Sequence, residues 1–191
     1  RDKQPTNHAN IVPSRFSNLE YGNIVRSDLK TISNTEYICA RAYKRMWVLR
    51  RLKSLGCPIP ELLDVLRQQI ISICEGSVAY WGPMITKVES NMLERCLKTG
   101  LHIIYQDEYI CFNNALRLSN MRSLKVRRLA LITRFSKKAI RSNKYRNWFC
   151  ESEERTGIHT RGKAAPLLKP IPCRTQRYQR SSLPFMTKLL S

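Results

Sequence analysis

Apolar residues recur three or four positions apart through most of residues 33–149, which is the spacing of one face of an α-helix. This pattern predicts four main helices and one short helix. The main helices are expected at about residues 34–55, 60–81, 87–104 and 124–142, and the short one at 113–118. The predicted fold class is therefore all-α, a bundle of about four main helices with a basic, Pro-containing C-terminal tail.

Short motifs mark the expected helix ends. Residues 33–36 and 86–89 both read Ser/Thr-x-x-Glu, the spacing of a capping box in which two side chains satisfy free backbone amides. Gly56 is a typical C-terminal stop. Gly76 is expected to weaken the second helix, since glycine costs about 1 kcal/mol against alanine. Gly100 is expected to interrupt the third helix.

Composition changes divide the chain into three parts. Residues 1–32 are polar and lack any period, so we expect a poorly ordered or truncated segment. Residues 33–149 form the predicted helical domain. Residues 150–191 contain prolines, glycines and cations and read as a basic tail, with a last short helix capped by Ser182. The first residue is Arg1, so we expect a processed chain or a fragment of a longer one.

The charge of the chain is uneven. Its 34 Lys/Arg and 14 Asp/Glu give a net charge of +20, and residues 109–191 hold 19 of the cations but only three acids. Such a segment repels itself unless a polyanion is near, and nucleic acid is the expected polyanion. No apolar run of about 18 residues and no signal-peptide pattern occurs, so we expect an intracellular protein, nuclear or cytoplasmic, without a membrane partner.

The seven cysteines are scattered and odd in number, without a Cys-x-x-Cys pair, and we expect reduced, mostly buried thiols. Cys150, His159 and Cys173 are badly spaced for zinc, which needs four ligands in close pairs. His102 lies in an apolar stretch and is expected in the core. We therefore predict no metal and no cofactor.

The main candidate site is the basic fourth helix and the residues after it. Ten Lys/Arg fall between Arg122 and Arg146 without one acid. A solvated helix face is the alternative, but no acid balances these cations. The predicted nucleic-acid contacts are Lys44, Arg51, Arg122, Lys125, Arg127, Arg128, Arg134, Lys137, Lys138, Arg141, Lys144 and Arg146.

Aromatic residues lie among these cations. Tyr145, Trp148 and Tyr178 could stack on bases, or belong to the core or its edge. Trp47 and Trp81 are predicted core residues.

Five blocks, in order, resemble one protein family. They are RSDLKTISNTEYICARAYKRMWVLRRLKSLG (26–56), ICEGSVAYW (73–81), Glu94-Arg95 with His102-Ile103-Ile104, YICFNNALRLSNMRSLKVRRL (109–129) and RTQRYQRSSLPFMTKLL (174–190). Together they resemble the C-terminal region, thumb and post-thumb, of reverse transcriptases from jockey-like non-LTR retrotransposons. Gly76, Leu97 and Gln106 depart from the family pattern and suggest a drifting copy.

The resemblance implies a part of an RNA-directed DNA polymerase that grips the template and primer. Its partners would be RNA, DNA or their hybrid, and the palm domain of the parent polymerase. The family's catalytic Tyr-x-Asp-Asp is missing, and the adjacent acids at 107–108 and 153–154 are expected in solvated loops. We therefore expect no enzyme activity from this chain. A helical protein-interaction module and a non-functional remnant without a stable fold are the alternatives.

Overall fold

The structure, a computed structural model, describes residues 17–20, 23–26, 30–149, 168–169 and 171–190. Most of these residues are helical, so the all-α prediction is confirmed. The elements are β1 (Ser17–Glu20), β2 (Asn23–Arg26), α1 (Ile32–Ser54), α2 (Ile59–Val65), a π-helical segment (Leu66–Ile71), α3 (Ser72–Glu75), α4 (Val78–Trp81), α5 (Lys87–Tyr105), α6 (Phe112–Leu118), α7 (Leu124–Arg141), α8 (Gln176–Gln179) and α9 (Ser182–Leu190).

The N-terminal ends of α1 and α5 are tied together by one buried carboxylate. At α5, Thr86 Oγ1 accepts from the Glu89 amide at 3.3 Å and Glu89 accepts from the Thr86 amide at 2.6 Å, which confirms the capping box predicted there. Glu89 also accepts a hydrogen bond from Thr31 Oγ1 at 2.6 Å. Because α1 starts directly after Thr31, Ser33 lies inside its first turn, and the capping box predicted at residues 33–36 is wrong.

The second predicted helix is not continuous. It passes from α2 through the π-helical segment into α3, and it ends at Gly76. Ser77 then takes a left-handed conformation, with φ of 52°, before α4 begins. The Nε1 of Trp81 donates to the Gly76 carbonyl at 2.8 Å, so the buried indole of α4 is hydrogen-bonded to the backbone at the end of α3.

Gly100 does not interrupt α5, against the expectation from its propensity. A Cβ built on Gly100 would lie 2.5 Å from Leu66 Cδ1, below any normal contact distance. The missing side chain therefore allows the π-helical segment to approach α5 closely. Gly100 is therefore explained by the close packing of the π-helical segment on α5 and not by a bend in α5.

The first hydrophobic core lies between α1, the α2–α4 segment and α5. Its largest fully buried side chains are Trp81, Ile38, Met46, Leu49, Leu62, Leu66, Ile70, Ile71, Leu93, Leu97, Leu101 and Ile104. The prediction that Trp81 is a core residue is thus confirmed. Thr31 contacts Glu89 and Tyr43 contacts Thr99, so α1 runs parallel to α5.

Three buried thiols also belong to this core: Cys39, Cys74 and Cys96. A hydrogen bond with Cys96 and burial raise the pKa of Cys39. At Cys96 the bond with Cys39 lowers the pKa, but the bond with Cys74 and burial outweigh it and raise the pKa to about 12. Cys39 and Cys96 therefore stay protonated at neutral pH and are poor nucleophiles. Cys111 is exposed, and Cys150 lies outside the described residues.

A second, smaller core joins α7 to the C-terminal residues. Its buried members are Ile132, Ala139, Phe149, Leu168 and Met186. The predicted short helix is present as α9, and it packs against α7 and α4. The described part of the predicted tail is therefore integral to the fold, so the domain does not end at residue 149.

The first turn of α9 is also bonded to the rest of the fold. Ser182 was expected to cap this helix, and its hydroxyl donates to the Tyr80 carbonyl oxygen of α4. This bond links residues 102 positions apart in sequence.

A small hairpin precedes the helices. β1 pairs with β2 in antiparallel register, Ser17 opposite Arg26 and Glu20 opposite Asn23. The Ile24 amide donates to Asn34 Oδ1 at 2.9 Å, so β2 is anchored to the first turns of α1. The sequence predicts no regular structure before residue 33, and these two strands differ from that expectation.

Candidate nucleic-acid interface

The start of α7 is positioned by two side chains. Ser123 Oγ accepts from the Val126 amide at 3.4 Å, as a normal N-cap. Glu94 of α5 accepts from the Leu124 amide at 3.3 Å and from the Lys125 amide at 2.6 Å. A carboxylate at a helix N-terminus satisfies free amides and complements the helix dipole. The register of α7 on α5 is thereby set.

Arg127 is held by an acid of α3. Its Nε and Nη2 donate to the two carboxylate oxygens of Glu75, the second at 2.9 Å. These bonds raise the pKa of Arg127, since they favour the charged form. Because two nitrogens of this guanidinium already donate to one carboxylate, it has fewer N–H groups left to bind a phosphate.

Arg128 points into the protein and is only 4% exposed. Its Nη2 donates to Ser90 Oγ at 2.5 Å, and burial lowers its pKa. The sequence prediction placed Arg127 and Arg128 at the interface. The structure buries Arg128 on the inner side of α7 against α5 and pairs the half-buried Arg127 with Glu75 of α3, so we remove both from the candidate surface.

The outer face of α7 carries four exposed cations, Arg134, Lys137, Lys138 and Arg141. At about 100° per residue they fall within an arc of about 100°. None of them contacts an acid within the described part of the chain. We call these four residues the α7 basic face.

The other predicted contacts near α7 surround this face. Arg122 and Lys125 are exposed at its N-terminal end, and Lys144 and Arg146 are exposed beyond its C-terminal end. Lys144 Nζ lies 5.4 Å from the centroid of the Tyr145 ring.

Two of the aromatic residues form a pair after α7. Tyr145 and Trp148 have ring centroids 4.7 Å apart, and Trp148 is about half exposed. Tyr178 is also about half exposed, on α8. Trp148 therefore leaves aromatic surface accessible beyond the C-terminal end of α7.

Lys44 and Arg51 are exposed on α1, on the side away from the first core. Trp47 lies between them and is 66% exposed, so its predicted place in the core is wrong. The reason is angular, because Trp47 is rotated by about 140–160° from Ala42 and Leu49 on a regular helix.

The two helices contact nearly opposite sides of α5. Glu89 and Thr99 face α1, whereas Ser90 and Glu94 face α7, and the two pairs are about 150–160° apart around the helix. The residues are also displaced along the axis, because α1 is parallel and α7 antiparallel to α5. Extending these contacts at 1.5 Å per residue places Trp47 and the α7 basic face about 30 Å apart along the direction of the α5 axis. The predicted contacts therefore form two separate surfaces.

No metal-binding constellation is found within the described ranges. There, no group of three or more His, Cys, Asp or Glu side chains is placed to hold a metal ion. His102 is exposed and lies 5.1 Å from the Tyr109 ring, so its predicted place in the core is wrong. Asp107 and Glu108 form part of an exposed 3-10 turn. Cys150 and His159 lie outside the described residues.

Comparison with known proteins does not assign a family: no family model, no curated protein and no solved structure matches this chain. Among the described helices, none combines the length and apolar composition needed to cross a membrane. Function must therefore be argued from the surfaces themselves.

Proposed function

We propose that the chain binds the phosphate backbone of nucleic acid through the α7 basic face, with little sequence preference. The observation that carries this proposal is the alignment of Arg134, Lys137, Lys138 and Arg141 on one exposed helix face, with no ion pair to an acid of the described residues. Lys and Arg release counterions when they neutralise phosphates, and this provides affinity without reading bases.

The packing of α7 supports this proposal because the described acids that contact this helix, Glu75 and Glu94, are already engaged. Glu75 accepts from Arg127, and Glu94 accepts from the backbone amides at the start of α7. Neither carboxylate is available to neutralise the cations of the α7 basic face. The positive charge of α7 is thus concentrated where a polyanion can reach it.

The proposed biological setting is the thumb and post-thumb region of a non-LTR retrotransposon reverse transcriptase. It rests on the resemblance and on how the resembling blocks meet in space. Glu75 of one block binds Arg127 of another, Glu94 caps the helix that carries Arg127, and Ser182 of the last block binds Tyr80. In this setting the chain, nuclear or cytoplasmic, grips RNA, DNA or their hybrid, while a palm domain performs polymerisation.

The salt dependence of binding tests the proposal. Each phosphate contact contributes roughly −0.7 to −0.9 to the slope of log affinity against log salt. The triple variant R134A/K138A/R141A should therefore flatten that slope by about 2 to 3 for a 20-base-pair duplex. The measurement is fluorescence anisotropy from low to moderate salt.

A matched control removes the same charge elsewhere. Arg95, Lys98 and Arg117 are exposed on α5 and α6. The variant R95A/K98A/R117A should change the slope by less than about 1. An unchanged slope in the α7 variant contradicts the proposal. Equal flattening in both variants shows that net charge, and not the α7 basic face, controls binding.

One observation favours a second candidate function, protein interaction. A hollow of about 700 Å³ lies along α7, and its described lining includes Val126, Leu129 and Ala130 beside the basic residues. Val126 and Leu129 are about half exposed, so an acidic amphipathic helix would find both apolar and charged contacts there. A partner captured after nuclease treatment, and lost in V126S/L129S, would support this function.

A further inference from the structure

The outer face of α1 combines an exposed indole with cations that form no ion pair within the described residues. Trp47 is 66% exposed, and Lys44 and Arg51 stand three residues before it and four after it. On a regular helix these three side chains fall within an arc of about 60°. The two cations are therefore direct neighbours of the indole along one face.

Along α1 itself, no acid after Glu36 balances this face. The next acid in the sequence is Glu61. The Lys/Arg residues between them are Arg41, Lys44, Arg45, Arg50, Arg51 and Lys53. None of these six forms an ion pair within the described part of the chain, and Arg41 lies 5.5 Å over the ring of Tyr37, one turn before Lys44.

A single exposed apolar side chain is normal in proteins and needs no explanation. A tryptophan flanked on one helix face by two cations has a specific chemistry, because its ring stacks on flat partners and its neighbours attract anions. Unpaired nucleotides offer both, a base with a free face and a phosphate on each side. In a duplex the base faces are covered by their neighbours, so the indole would distinguish single strands from duplexes.

We propose that the outer face of α1 binds single-stranded nucleic acid, with Trp47 stacked on an unpaired base and Lys44 and Arg51 contacting the adjacent phosphates. This inference rests on the proposed function for the identity of the polyanion, but it uses a different surface. RNA and DNA share the chemistry involved, and separate arms of the experiment distinguish them.

The test compares two replacements of Trp47. Phenylalanine keeps an aromatic face, whereas leucine keeps only apolar volume. Stacking is worth about 1–3 kcal/mol per base, so W47L should weaken binding of a dT or U decamer by about 5- to 150-fold. W47F should stay within about threefold of the parent chain, and binding of a blunt duplex should be unchanged in both variants. Leu55, equally exposed at 66% just after α1, supplies the control L55A, expected to bind as the parent does.

Tryptophan fluorescence gives an independent readout. Trp81 is buried and Trp148 is about half exposed, so a W148F background leaves Trp47 as the one exposed indole among the three tryptophans. Addition of either decamer should quench its emission. No quenching should occur in W47F/W148F.

The outcomes separate this inference from the proposed function. If W47L binds the decamers as tightly as the parent, or binding leaves Trp47 emission unchanged, the inference is wrong. If W47L loses single-strand binding while R134A/K138A/R141A keeps its salt slope for the duplex, the inference stands and the α7 proposal fails. Thermal melting of each variant checks folding, and replacement of this exposed side chain should change stability by no more than about 0.5 kcal/mol.

Discussion

Replacing Met186 by alanine should show whether the C-terminal residues are part of the folded protein. Met186 is 4% exposed in the second core. The change removes roughly three methylene equivalents at about 0.8 kcal/mol each, or about 2.4 kcal/mol, before any cavity is counted. Substitutions of this kind cost about 2–5 kcal/mol. Since this core is small and near the surface, it can relax, and we expect a cost of about 2–3 kcal/mol.

Urea unfolding followed by circular dichroism measures this cost. The parent should unfold cooperatively, and M186A should unfold at lower urea with an unchanged slope. Its Tm should fall by about 5–10 °C, at about 2–4 °C per kcal/mol for a chain of this size. V88A, at a strongly exposed position of α5, should change stability by less than about 0.5 kcal/mol. An M186A variant as stable as V88A would show that α9 does not contribute to the core. Non-cooperative unfolding of the parent chain would favour the alternative that the chain is a non-functional remnant without a stable fold.

Three further outcomes follow from the packing. Gly100→Ala should destabilise the parent, despite a helix-propensity gain of about 1 kcal/mol, because the new Cβ meets Leu66. In a Leu66→Ala background the same change should stabilise the protein. Urea unfolding that shows stabilisation in the parent and destabilisation in the Leu66→Ala background would contradict this packing. A double-mutant cycle of Glu75→Ala and Arg127→Ala should give a coupling of about 0.5–3 kcal/mol, and additive effects would show that the pair is not formed. Brief alkylation at pH 8, mapped by mass spectrometry, should label Cys111 and leave the core thiols unmodified; labelled core thiols would refute their burial.

The helices that could be predicted are those whose ends are determined locally. The start of α5 follows from Thr86 and Glu89, three residues apart, and the start of α7 from Ser123. The start of α1 was misplaced because it depends on a bond between Thr31 and Glu89, 58 residues apart. The local motif at residues 33–36 does not reveal that long-range contact.

The irregular parts of the fold could not be read from periodicity. An apolar stripe shows which side of a helix is buried, but not how close the neighbouring helix comes. The approach of Leu66 to Gly100 is such a distance, and it accompanies the π-helical segment. The burial of Met186 likewise depends on α7, about 50 residues earlier in the chain.

The positive charge of the candidate site could be predicted from the sequence, but the direction in which each cation points could not. Arg127 and Arg128 were grouped with their basic neighbours because the acceptors that engage them, Glu75 and Ser90, are 52 and 38 residues away. The exposure of Trp47 could have been predicted, since its helical angle places it opposite the apolar stripe of α1. Tryptophan is so often buried that residue type outweighed geometry in the prediction.

The placement of α1 and α7 on nearly opposite sides of α5 limits what one ligand can do. A stiff duplex, with a persistence length of about 150 base pairs, cannot curve from one surface to the other. A duplex on α7 could reach α1 only through an unpaired overhang long enough to span about 30 Å. If both proposals hold, the ligand of the two surfaces together would be a junction, where a double-stranded stem continues into a single-stranded end.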